Sequence, residues 1–478
     1  MKPGPGMIVT GAVIALLLLS IPGSCEESAE YYERGARHFA LGDYENAVDE
    51  FTGAILKDVE NTDAYAGRAR AFEMEGIYDR AIADYNEAVD LAPENEYYAL
   101  ERGIFYAKIG DLEKAMADFD RAISLDPGYD SAYIERGKIF SGRGSHKEAL
   151  KDYSSAIKAN PSKTTGYMAR AEAYTGLGRD DRAVADYSKA LTIDPDNAHI
   201  YFKRGIAYRK IGDERRSFKD LKKAIKIVSG MIDVDHPDSR VYLERGIMRA
   251  ASGSEAEALA DFGEAIAIDP RNARAYTERG TLLMKQGLAR ESVGDFTKAI
   301  AFSPGDALAY VRRGEAYSGH PALDGGIFHK AVSDFNAAIK ISPKLHRARI
   351  DRGLIYARMN HYDKAIEDYS AAVDIRPGEA RGYFFRGIAR AENGDYAEAI
   401  RDLDRTTGID RAYARAYFEK ALACEASGRL SDAVSSYEQF QRFAARSLET
   451  DRDIAYAERR IEELSAEIIG RGRRKFSR

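Results

Sequence analysis

One sentence of about 34 residues recurs twelve times between Ser28 and Phe443. Such self-similarity excludes most globular folds, because each copy can bury its apolar face only against the next copy. The repeats begin at Ser28, Thr62, Glu96, Asp130, Thr164, Ala198, Ser239, Ala273, Ala307, His346, Ala380 and Ala414. Aligned on these starts, position eight is always Gly or Ala, as in Gly35, Ala69, Gly103 and Gly137. Position twenty is small throughout, as in Ala47, Ala81, Ala115 and Ser292, whereas position twenty-four is large, as in Phe51, Tyr85, Phe119, Tyr153 and Leu221. Small residues let two helices touch and the large one fills the space beside them. Eight of the 13 prolines occupy position thirty-two, among them Pro93, Pro127, Pro161 and Pro377, where proline closes one helix before the next repeat.

Within each repeat, apolar residues recur at helical spacing in two blocks, for example Tyr133, Ile134, Gly137 and Phe140, then Ala149, Leu150, Tyr153, Ala156 and Ile157. A Gly at position fifteen, often followed by Asp, separates the blocks, as in Gly42 with Asp43, Gly110 with Asp111, Gly212 with Asp213 and Gly394 with Asp395. Gly suits a left-handed turn and Asp is expected to cap the second helix. Each repeat is therefore read as a helical hairpin.

The columns resemble the tetratricopeptide repeat family, with an aromatic at position four, Gly at eight, Ala at twenty, an aromatic at twenty-four and Pro at thirty-two. Position four is Tyr in this chain, as in Tyr65, Tyr167, Tyr201, Tyr242 and Tyr310, and Trp is absent. The resemblance implies an all-α fold: a right-handed α-solenoid of about twelve antiparallel helix pairs with a concave inner groove. It implies no specific ligand. Asp451 to Ile469 carries one more apolar stripe, Ile454, Ala457, Ile461, Leu464 and Ile468, expected to form a capping helix on the last hairpin.

Position seven is Arg in the first eleven repeats, from Arg34 to Arg386, and position twenty-three is acidic in the same eleven, from Glu50 to Asp402. Repeat twelve has Lys420 and Ser436 instead. Joint loss of both charges indicates that the two side chains meet, since a lone charge in a helix interface is costly. The pairing is read as a structural register pin rather than as an acid–base site.

Two insertions break the rhythm: seven residues across Gly230 to Asp238, before which the last helix of repeat six is expected to run on, and five within Ser318 to His329, expected to protrude as a loop. The expected organisation is an export signal or anchor over 1–24, repeats one to six over 28–238, repeats seven to twelve over 239–447, a capping helix over 448–470 and a basic tail over 471–478.

At the start, Lys2 precedes an uncharged stretch, Met7 to Ile21, that is short for a bilayer span. Pro22, Gly23, Ser24 and Cys25 follow, an imperfect resemblance to the bacterial lipoprotein signal, in which the cysteine is acylated. Lipidation at Cys25, ordinary secretion and a retained anchor are three readings of this end; the expected location is the cell envelope or periplasm, with secretion as the alternative. Cys424 is expected to be an inert thiol in the core.

The resemblance implies a groove lined by first-helix positions two, five, nine, twelve and thirteen. Positions five and nine are mostly apolar, with Phe202, Phe384 and Phe418 at position five as a floor for a peptide, although a neighbouring repeat could cover them. Position two is Arg240, Arg274, Arg347, Arg381 and Arg415 in the second half, read as a grip for an acidic partner. The structural alternative is pairing with acids such as Asp269 or Glu379. The Lys, Asn and Arg clamp by which some family members bind chaperone tails is absent. The eight histidines show no metal spacing, no phosphate loop is present, and no catalytic residue or cofactor is expected. A net charge of −6, without a broad basic face other than the tail, disfavours nucleic acid. The expected function is a non-enzymatic binding scaffold for a protein or peptide; an envelope assembly component and a regulatory subunit are the alternatives.

Overall fold

The computed structural model describes residues 24–319, 326–444 and 448–476. Among them run twenty-five α-helices, from α1 (Ser24–Ala40) to α25 (Leu448–Phe476), and no strand. Each repeat supplies two antiparallel helices of mostly 13 or 14 residues. The helices group into two compact units, one ending at Ile227 and the other beginning at Val228.

The turn chemistry is that of the repeat. Position fifteen is left-handed throughout the described turns, with φ of 78° at Gly76 and 87° at Gly110. In repeat ten the same position is Asn360, at φ 58°, the one non-glycine residue with positive φ among those described. The expected Asp caps are only partly present. Asp111 accepts the Lys114 N–H at 3.2 Å and Asp213 accepts the Arg216 N–H at 2.9 Å. Asp43 and Asp395 make no such bond; Asp43 binds the side chains of His38 and Asn46, and Asp395 that of Asn393. Asparagines at the end of the preceding repeat cap several first helices, as Asn61 does for Ala64 and Asn272 for Ala275.

Hairpins close by a size match. A Cβ at Gly103 would lie 2.6 Å from Cε1 of Phe119, closer than side chains approach, so only the hydrogen lets α5 (Glu96–Ile109) and α6 (Leu112–Leu125) meet over that ring. Phe119, Phe296 and Phe335 are fully buried in this role. At the far end, Ala457 and Leu464 of α25 close over Phe418, Tyr437 and Phe440, as the stripe predicts. α25 continues to Phe476, so 471–476 extend the capping helix instead of forming a separate tail; their side chains lie outside the described residues.

The Arg–acid pairing is found in all eleven repeats, from Arg34 with Glu50 to Arg386 with Asp402. In repeat three, Nε and Nη2 of Arg102 donate to Asp118 at 2.8 and 2.7 Å, a two-pronged bond across the hairpin. The third nitrogen has a use that the pattern does not announce. Nη1 of Arg102 donates to Asn86 of the preceding hairpin at 3.0 Å, and the same reach joins Arg136 to Asp120, Arg170 to Ser154 and Arg204 to Ser188. One guanidinium thus fastens its own helix pair and stitches that pair to its neighbour. Lys420 keeps only the second function, 2.6 Å from Asp404. Position twenty-five of repeat seven is Gly263, which offers Arg279 no acceptor.

Of the insertions, α12 (Glu214–Ser229) runs two residues beyond the usual end of a second helix, as expected. The loop expected around Pro321 and His320 lies largely outside the described residues, as does the Met7 to Ile21 stretch.

Candidate functional site

First-helix positions two, five, six and nine form one face, and in the first compact unit that face opens into a cleft of about 290 Å³ between α7 (Asp130–Gly142) and α9 (Thr164–Gly176). The opening exists because position two is short in both repeats, Ser131 and Thr165. Its floor is apolar, built from Ile134, Met168 and Ala169, and its rim carries Glu135, Lys138, Lys163 and Glu172. Lys163 is 2.9 Å from Asp130, Lys138 is 2.6 Å from Glu135, and Glu172 is 3.0 Å from Lys203. An apolar trough with a charge-balanced rim suits a segment of peptide better than a charged small molecule.

In the second compact unit, the same positions are occupied differently. Arg347 bridges Glu315 at 2.6 Å and Asp351 at 3.6 Å; Arg381 lies 3.5 Å from Asp351 and over the Phe385 ring; Arg415 binds Glu419 at 2.8 Å and Asp453 of α25 at 2.6 Å. Three of the five expected grips are therefore engaged with acids of the wall itself. The pairing alternative is right in kind but not in its partners, for Glu379 binds His346 at 2.9 Å. Arg240 is exposed and bonded to Asp238 before its own helix, and Arg274 is exposed and makes no ion pair among the described residues.

Position five is corrected more sharply. Phe384 and Phe418 are each 6% exposed and belong to the core, Phe384 against Tyr413 at the end of its own repeat and Ala416 of the next, and Phe418 against Phe440 and Tyr456. At Phe384 and Phe418 packing of the following elements covers position five, whereas Met168 and Phe202 at the same position stay half-buried.

The acids that hold the arginines were not signalled by the sequence reading. Position six carries Glu101, Glu278, Asp351 and Glu419, and burial raises the pKa of each. Asp351 is the extreme: burial first, then the charge of Glu315, push it up to about 6 against the pull of Arg381 and Arg347, and its Oδ2 has no hydrogen-bond partner. Because its native pKa lies above the unfolded value of about 3.9, its contribution to stability is complete below that value and is lost as pH rises through about 6. His346, whose pKa burial lowers, acts oppositely by losing stability on acidification. Thermal unfolding of wild type and Asp351→Asn at pH 4.5 and 7.5 separates the two: wild type is expected to lose melting temperature relative to the variant as pH rises. A constant difference would remove the assignment.

No group of three or more His, Cys, Asp or Glu side chains among the described residues is placed to hold a metal. Cys424 is fully buried, and burial pushes its thiol pKa up, away from reactivity. No described helix is long and apolar enough to cross a membrane.

Three family models match the chain. One described as TPR repeat covers residues 171–212 and 246–287; two described as tetratricopeptide repeat cover 32–96 and 384–447, and 98–129, 198–227 and 346–379. Similar solved structures include yeast Tom70, at 15% identity over 92% of this chain and 96% of that one with a TM-score of 0.43. The APC/C hetero-tetramer Cut9-Hcn1 is similar at 13% identity over 93% and 99%, with a TM-score of 0.41. A tetratricopeptide repeat protein from Parabacteroides merdae is similar at 19% identity over 54% and 99%, also with a TM-score of 0.41. No curated protein sequence matches the chain.

Proposed function

The chain belongs to the tetratricopeptide repeat family and is accordingly a protein-interaction scaffold, and we propose that it holds an extended segment of a partner protein against its wall of first helices, without chemistry of its own. The observation that carries this reading is the cleft between α7 and α9. Its floor of Ile134, Met168 and Ala169 accepts an apolar side chain, while Lys138, Lys163, Glu135 and Glu172 meet the polar backbone and flanking charges of the same segment. In the second unit, an acidic side chain finds its freest cation at Arg274, since Arg240 is bonded to Asp238 and the other three arginines are held by carboxylates of the wall.

We further propose that the protein works outside the cytoplasm, attached to a membrane through its N-terminus. The support is sequence order alone: Lys2, the uncharged run from Met7 to Ile21, and Cys25 after Pro22, Gly23 and Ser24.

One experiment addresses both. A photo-crosslinking residue at Met168, compared with one at the exposed Lys189 of α10 (Asp180–Ile193), is expected to capture a peptide segment of one partner from the cleft position only. Thr165→Arg, which fills the cleft with a long side chain, is expected to cut that yield at least ~tenfold, the equivalent of about 1.4 kcal/mol. Equal yields at the two positions, or indifference to Thr165→Arg, would abolish the cleft reading. In the same cells, the adduct is expected in the membrane fraction and Cys25→Ser is expected to release it; a protein wholly cytosolic in both forms would end the export reading.

A further inference from the structure

The last helix of repeat six departs from the charge balance of the rest of the chain. Between Ala198 and Ser229 stand ten Lys and Arg against three Asp and Glu, in a protein of formal net charge −6. On α12, Arg215, Lys219, Lys222 and Lys226 are all exposed and recur at intervals of four, three and four residues, which places them on a single stripe about 16 Å long. None makes an ion pair among the described residues. The flanking cations behave otherwise: Arg216 is 2.6 Å from Asp213 and lies over Tyr208, and Lys223 is 3.5 Å from Asp196 and over Tyr201. Midway along the stripe and on its edge, beside Arg215 and Lys222, Phe218 is 62% exposed, with Leu221 and Ala224 of the same helix turned into the core. Contrary to the reading from net charge, the chain therefore does have a basic face besides its C-terminal end.

A stripe of unpaired like charge repels itself, the exposed ring beside it costs solubility, and neither adds to the fold. Its chemistry narrows the occupant. Three of the four cations are lysines, point charges without the planar fork that reads a carboxylate or phosphate in fixed geometry. The ring stands on a helix surface rather than in a trough, so no shape selects a peptide. A single-stranded nucleic acid needs successive stacking rings, and only one is present. A layer of anionic headgroups asks for no more than charge density, and an aromatic side chain among basic residues is suited to the boundary between headgroups and acyl chains.

We propose that this face of α12 rests on an anionic lipid surface, with Arg215, Lys219, Lys222 and Lys226 among the headgroups and Phe218 inserted at their base. The contact is independent of the cleft, and it provides a second attachment beside any N-terminal one.

The chain contains no Trp, so Phe218→Trp in the full-length protein places a single fluorescent reporter in the stripe. With vesicles of mixed zwitterionic and anionic lipid, the indole emission is expected to shift to the blue and to be quenched by brominated acyl chains. Zwitterionic vesicles should leave it unchanged, even where the N-terminus attaches the protein to both. Adding Lys219→Glu and Lys222→Glu is expected to weaken the response at least ~tenfold, and raised salt should do the same to the parent. Both lysines are exposed, so circular dichroism should be unaltered; Lys222→Gln, expected to weaken the response less, is a milder control. An indole that stays in water on anionic vesicles would overturn the proposal. So would a shift produced by poly-glutamate or DNA and not by vesicles, or a response indifferent to the charge reversals.

Discussion

Arg102→Ala is expected to destabilise the hairpins around it by about 3–5 kcal/mol, one of the two largest effects available to a single substitution in this chain. The reason lies in what the arginine leaves behind. Asp118 is 4% exposed and takes both of its strong hydrogen bonds from Arg102, at 2.8 and 2.7 Å. Truncating the cation strands a carboxylate in a helix interface and also releases Asn86 of the preceding repeat. Hydrogen bonding to Asp118 raises the guanidinium pKa against the opposing cost of burial, so the arginine cannot escape by losing its proton. Replacing both partners, Arg102→Leu with Asp118→Leu, should recover most of the loss, since neither charge is then left buried alone. Hydrogen exchange of the α5 and α6 amides is the appropriate measurement, because repeat arrays open locally rather than all at once. A cost below about 1 kcal/mol, the range of exposed ion pairs, would show the pin to be decorative.

Phe335→Ala should cost a similar amount, about 3–5 kcal/mol, by a different mechanism. The ring is fully buried between Val311, Ala331, Ala338, Ala348 and Ile355, residues of repeats nine and ten, so its loss opens a cavity shared by both. Gly314 supplies an internal check. A Cβ there would lie 2.8 Å from the Phe335 ring, so Gly314→Ala is expected to destabilise the wild-type protein. With Phe335 already Ala the obstacle is gone, and the same change should become neutral or favourable, helped by about 1 kcal/mol of helix propensity. Denaturation of the four proteins in this double-mutant cycle reads the sign reversal directly. Additive effects would mean that the small residue and the ring do not define each other.

Much of this architecture is legible in the sequence because the repeat supplies its own alignment. Positions eight, twenty and twenty-four announce the helix contacts, and the joint loss of charge at Lys420 and Ser436 announces the pin. The second arm of these arginines, where it forms, stayed hidden for a chemical reason. Its acceptors, such as Asn86, Asp120 and Ser154, share a short oxygen-bearing side chain but not a residue type. The wall was harder still. A large apolar residue at position five serves equally in a groove or under the next hairpin, and packing buries Phe384 and Phe418. The arginines at position two were visible, but Glu315 and Asp351 sit on neighbouring turns and neighbouring repeats, so their meeting depends on a register that no single repeat reveals. The basic stripe of α12 was readable from spacing alone and was masked by averaging charge over the whole chain.

The third nitrogen, used by eight of the eleven arginines, also sets how disorder travels. In a linear array, cooperativity is the ratio of coupling between neighbours to the stability of each member, as in a row of magnetic spins. Bonds from Arg313 to Thr297, Arg352 to Asn336 and Arg386 to Ser370 strengthen that coupling from repeat eight onward. At Gly263 the bond has no acceptor. A melting front that enters the second unit from its C-terminal end is thus held to near-simultaneous collapse as far as repeat eight, and it can stall there, leaving repeat seven to melt on its own terms.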